Sequence, residues 1–197
     1  MTREEFDAIE FEATLTGDHV AAAERMSELA ATGTQTESMP RAEAFVRAGE
    51  QWLLADDPRA AAYGFRMAIA DGGAVDVDPR VSLCRALFLL GSRDEAYALI
   101  GELRSEGRTK AHVCDMLTEL LLEQSDLPAA LYWATTGVEL LLAQAGGSAG
   151  QGNKGSPGNG ANDSAVQSGL RDLLRLRYRI RNDLRLPEDE YDRLLGS

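Results

Sequence analysis

Apolar residues recur along this chain at helical spacing, and the clearest stretch is Pro58–Ala70, where Ala61, Phe65 and Ala68 share one face. The same face returns 35 residues later as Ala96, Ile100 and Leu103, and 34 residues after that as Ala130, Ala134 and Gly137. An earlier copy, Ala22, Met26 and Leu29, precedes the first by 39 residues. A period of this length predicts stacked helical hairpins. The punctuation agrees. Gly17, Gly72, Gly91 and Gly107 stand where helices should stop, and Asp18, Asp57-Pro58 and Asp78-Pro79 stand where the next should start. Pro40 suits a first helical turn, Ser92 with Glu95 reads as a capping box, Thr109 as a cap, and Ser125 or Asp126 as another.

Four hairpins follow, with the first helix of each marked by Phe6, Ile9 and Ala13, by Phe45, Ala48, Gly49 and Trp52, by Leu83, Cys84 and Leu87, and by Cys114, Leu117 and Leu121. Residues 146–163 are rich in Gly, Ser and Asn and predict a flexible loop. Beyond it, Leu170, Leu173, Ile180 and Leu184 line one stripe of a long helix from Val166 to about Asp183, and Leu186-Pro187 separates a last short helix at 188–195. No segment alternates as a strand would. The expected fold is all-α, with repeats over 1–145, the loop, and an Arg-rich capping segment at 164–197.

These repeats resemble the tetratricopeptide repeat family, whose pattern puts small and aromatic residues on the first helix and Ala-x3-Phe-x2-Ala on the second. Phe45-x2-Ala48-Gly49-x2-Trp52 followed by Ala61-x3-Phe65-x2-Ala68 is the best copy, and the closing proline common in that family is absent from all four. The resemblance implies a right-handed superhelix whose first helices line a concave groove for a polypeptide segment. Carried over position by position, the groove comprises Val46, Glu50, Leu53 and Leu54, then Val81, Arg85, Phe88 and Leu89, then Asp115, Glu119, Leu122 and Glu123, with Asp7, Phe11 and Leu15 from the weakest copy. Helical period alone also puts these positions off the packing face. Phe88 and Leu89 beside Arg85 form the expected anchor.

Composition narrows the partner more than the fold. The net charge is −12, and 44% of residues are hydrophobic, which suits a folded domain that favours basic partners over nucleic acid or anionic membranes. Residues 165–185 reverse this trend, with six arginines against Asp172 and Asp183, which leaves −16 for the rest. A basic helix beside acidic repeats is expected to pack as their cap. Cys84 and Cys114 lie inside apolar patterns with no metal-ligand spacing, so they read as buried small hydrophobes. No phosphate-binding glycine loop, zinc motif or nucleophile elbow occurs, and there are two histidines. The expectation is therefore a non-enzymatic protein without cofactor or metal. With no apolar N-terminal run and no span-length apolar segment, it is expected in the cytoplasm. Its partner is expected to be a basic or apolar protein or peptide, with self-association left open. A small acidic chaperone or adaptor for an assembling subunit is the alternative, as is a ligand-sensing regulator acting in trans.

Overall fold

The computed structural model describes residues 2–34, 36, 39–107, 109–150 and 159–195. All regular structure among them is helical apart from one isolated bridge between Thr36 and Met39, and the helices pack on their sequence neighbours. The chain divides into two compact units, Met1–Gly107 and Arg108–Ser197.

The first unit holds three hairpins: α1 (Arg3–Thr16) with α2 (His19–Thr32), α3 (Arg41–Leu54) with α4 (Pro58–Asp71), and α5 (Pro79–Leu89) with α6 (Arg93–Glu106). Its caps follow from residue chemistry. Asp18, Asp57 and Asp78 each accept backbone N–H bonds at the start of α2, α4 and α5, and Pro58 and Pro79 occupy first-turn positions that lack a partner for an N–H anyway. Gly17, Gly72, Gly91 and Gly107 all take positive φ, between 61° and 76°, the conformation that lets a helix end without a Cβ clash. Two starts differ from expectation. Ser92 is the N-cap of α6 but its side chain makes no cap bond, and Pro40 precedes α3 as its N-cap rather than entering its first turn.

The repeated face is the core. Ala61, Phe65, Ala68, Ala96, Ile100 and Leu103 are buried, as are Ala22 and Met26, whereas Leu29 is only half-buried. The α3–α4 crossing shows why small residues recur. A Cβ added to Gly64 would lie 3.4 Å from the Gly49 Cα, and one added to Gly49 would meet the Phe65 ring at 2.6 Å. Glycine at both positions lets the two backbones close until the ring fills the remaining gap.

The second unit contains α7 (Ala111–Glu123), α8 (Leu127–Gly150), α9 (Asn159–Asp183) and the single-turn α10 (Glu190–Arg193). Helix α7 begins after Lys110 without a side-chain cap, rather than from Thr109, and Asp126 is the residue that caps α8, its Oδ1 accepting from the Ala129 N–H at 3.2 Å. Helical backbone extends to Gly150 and resumes at Asn159, so it occupies both ends of the segment expected as a loop; residues 151–158 lie outside the described residues. The unit boundary falls at 107/108 rather than near 145 because α9 packs along α8, burying Leu173, Leu174 and Ile180 and tying the fourth hairpin to the C-terminal segment. Gly137 makes room for this: its missing Cβ would lie 2.8 Å from the Leu173 Cδ1 and 3.0 Å from the Cys114 Cβ.

The arginines of α9 have an unforeseen use. Arg177, almost fully buried, bonds Thr135 of α8 through Nε at 3.0 Å and pairs with both Asp189 and Asp192, while its guanidinium lies 4.7 Å from the Tyr191 ring centre. Arg181 joins the same two carboxylates and the Pro187 carbonyl. The hydrogen bond from Arg177 pulls the Asp189 carboxyl down to about 2. These two arginines lock α10 onto α9, while Arg171, Arg175 and Arg179 remain at the surface.

Candidate functional site

In the first unit packing leaves large apolar side chains exposed on both helices of its hairpins, Val20, Tyr63 and Ile69 on second helices among them, and the most exposed aliphatic ones lie on the first helices. Phe11 and Leu15 of α1, Leu54 of α3 and Leu89 of α5 are 67%, 70%, 61% and 62% exposed. The helical turn explains their direction. Phe11 and Leu15 fall five and nine positions after the buried Phe6, and Leu54 falls nine after the buried Phe45, which at about 100° per residue is the far side of each helix. An isolated surface leucine is ordinary. Large apolar side chains left open on three successive first helices, all at positions that face away from their own core, are a pattern.

Acidic residues lie on the same helices, Asp7 and Glu10 on α1 and Glu43 and Glu50 on α3. Arg47, buried on α3, reaches α1 with its Nε 2.7 Å from Glu10 Oε1 and its Nη2 2.6 Å from Asp7 Oδ1, and it lies over the Phe6 ring. Burial works against its charge, but the bonds it donates to Glu10 and Asp7 more than offset that and hold its pKa above the usual value. Glu43 is buried one turn before it, accepting the Asp76 N–H at 2.9 Å. Glu50, one turn after it, is reached by solvent yet crowded by protein on its other sides. Desolvation, then Glu10 and Glu43, push its carboxyl up to about 7. Glu50 is therefore an acid poised to gain from a cation brought to it.

The expected groove residues divide into three groups. Glu50, Arg85 and Leu89 are exposed in the first unit and Leu53 is half-buried; Glu119 and Glu123 are exposed in the second, with Asp115 half-buried. Val46, Val81 and Phe88 are instead buried and cannot meet a partner as placed. Phe88 is committed to α6: it meets Tyr97 edge-on at 5.4 Å, and the Arg93 guanidinium covers its ring at 5.5 Å. The expected Phe88–Leu89 anchor thus reduces to Leu89 with Arg85.

In the second unit, Asp115 lines a cleft of about 440 Å³ formed by α7, α8 and α9, together with His112, Gln144 and Leu173. Burial, then Glu119 and Asp172, raise its carboxyl. The buried thiols of Cys84 and Cys114 are pushed up to about 12 and about 11 by burial, so neither is a ready nucleophile. Among the described residues, no group of three or more His, Cys, Asp or Glu side chains is arranged to hold a metal, and no helix is long and apolar enough to cross a membrane.

Sequence reasoning missed the Arg47 bridge. Its only trace is Asp7 and Glu10 lying one turn apart on a helix whose other charges are scattered. No protein-family model matches the chain, and neither a curated protein nor a solved structure shows significant similarity to it.

Proposed function

We propose that the first unit is a polypeptide-binding module of tetratricopeptide type, its first helices presenting an apolar surface to a partner segment that also carries basic residues. The observation that carries this reading is the exposure of Phe11, Leu15, Leu54 and Leu89 on α1, α3 and α5, with the exposed carboxyl of Glu50 one turn before Leu54 on α3. Exposed apolar groups provide the affinity and fixed carboxylates choose the charge of what binds. The unit is acidic on balance: Met1–Gly107 holds 20 acidic residues against 10 basic ones. Such a surface steers cationic segments in and repels acidic ones.

A display selection of random peptides on the full chain tests this. Enriched peptides should pair Leu, Ile or Phe with Lys or Arg a few positions away. Enrichment of acidic peptides, or none over a variant carrying Leu54→Asp and Leu89→Asp, refutes it.

A further inference from the structure

On the other side of α3 from Leu54, helices α2, α3 and α4 enclose a cleft of about 490 Å³, within the range of small-molecule sites. Its walls are aromatic and apolar: Phe45, Trp52, Tyr63 and Met67. Trp52 is held in orientation by its Nε1–H, which donates to Ser27 Oγ at 3.0 Å. Tyr63 is largely exposed at the mouth.

The charges at this cleft oppose those of the unit around it. Arg41 lies over the Phe45 ring at 5.6 Å, and its Nε and Nη2 donate to the Ala30 and Ala31 carbonyls at 3.0 and 3.1 Å. Those bonds fix the guanidinium without neutralising it. Arg59 stands exposed in the first turn of α4 and, among the described residues, forms no ion pair. The single carboxylate in the lining, Asp57, is occupied as the α4 cap, its Oδ1 accepting from the Arg59 and Ala60 N–H groups at 3.1 and 2.9 Å. In a unit with twice as many acidic as basic residues, the aromatic cleft gathers two guanidiniums that form no ion pair among the described residues.

We infer that this cleft binds a small aromatic carboxylate, its ring against Trp52 and Phe45 and its carboxylate shared by Arg41 and Arg59. Arg59 offers its planar fork to a carboxylate and Arg41, whose Nε and Nη2 already donate to carbonyls, its Nη1, while a flat ring suits an aromatic-walled slot. A neutral ring would keep the stacking and lose the charge-assisted bonds. A cationic ring would meet two like charges.

The test uses naphthalene-1-acetate on the full chain carrying Trp133→Phe, which leaves Trp52 as the one indole, with backbone amide signals of α4 followed in the wild-type chain in case that substitution disturbs folding. Saturable change in Trp52 emission and in the α4 amides at millimolar ligand or below is expected. Naphthalene-1-acetamide should bind the wild-type chain at least roughly tenfold more weakly, and Arg59→Glu should weaken the acid by a similar factor, the scale of one charge-assisted hydrogen bond. Leu54→Asp should leave this binding unchanged, which separates it from the peptide surface. Equal affinity for the amide, undiminished binding to Arg59→Glu, or silent α4 amides at millimolar acid overturns the assignment.

Discussion

In Met1–Gly107 helices α3 and α4 come close together at a pair of glycines, Gly49 and Gly64, with Phe65 filling the space beside them. In Arg108–Ser197 the most heavily committed side chain is a buried guanidinium, Arg177, between two carboxylates from beyond a proline. The first arrangement is local and repeatable: five of the six helices in that unit have 14 residues, and each hairpin buries the same face. The second is built from helices of 13, 24, 25 and 4 residues and joins Thr135, Arg177 and Asp192 from three separate elements. A packing rule that repeats leaves the opposite helix faces free. An ionic junction made once fixes one segment in one place.

Two truncations should break these regions by different routes. Phe65→Ala removes a fully buried ring from the α3–α4 seam and should cost about 3–5 kcal/mol. Arg177→Ala removes one of the two guanidiniums that hold the buried Asp192, Arg181 remaining on its Oδ2 at 2.9 Å, and should cost less, about 1.5–3 kcal/mol. Urea unfolding gives the stability change for both. Hydrogen exchange distinguishes them: Phe65→Ala should open α3 and α4, and Arg177→Ala should open α10 and the end of α9.

A matched pair sharpens the contrast. Gly49→Ala drives a methyl into an aromatic ring and should cost about 1–3 kcal/mol. Gly137→Ala meets the movable end of the Leu173 side chain and, at 3.0 Å, the Cys114 Cβ, a lighter clash than the three ring atoms crowding Gly49, so its cost should be smaller, about 1 kcal/mol. Equal losses in thermal unfolding would contradict a rigid seam in the first unit and a more adaptable one in the second.

Acid should act on the two units in opposite directions. Asp189 has its carboxyl lowered to about 2 in the fold, so its contribution is full above the unfolded value of 3.8 and is lost as pH falls through about 2. Glu50 is raised to about 7 from 4.5, so the native state binds more protons than the unfolded chain across that window. Its effect favours the fold at the acid end and is lost as pH rises through 7. Glu50→Gln should therefore stabilise the chain above pH 7, by no more than about 1 kcal/mol, since solvent reaches the side chain. Denaturation curves at pH 5 and pH 8 check the sign.

Much of the first unit was legible because its determinants are short-range. Asp-Pro starts and glycine stops act within one turn, and the Ala61–Phe65–Ala68 face shows its partner through the small residues it needs. Other features were not local. Val46, Val81 and Phe88 lie at positions that helical period separates from the hairpin face, yet neighbouring helices bury them, and for Phe88 the pairing with Tyr97 and Arg93 settles its place. Asp189 and Asp192 sit 12 and 15 residues from Arg177, across Pro187, and no periodicity links such a set. The Arg-rich helix read only as a net-basic cap because charge counting does not reveal which arginines are buried.

The most direct measurement is the affinity of one selected peptide for four chains: wild type, Leu54→Asp with Leu89→Asp, Glu50→Gln, and Arg59→Glu, with circular dichroism recorded for each. If the first helices carry the interaction, the Leu54/Leu89 variant loses at least roughly tenfold, the scale of one displaced apolar anchor. Glu50→Gln should lose less and only for peptides bearing Lys or Arg, Arg59→Glu should bind as wild type, and all four should retain the same helical spectrum. Undiminished binding by the Leu54/Leu89 variant, with its helices intact, would contradict a peptide surface on α1, α3 and α5.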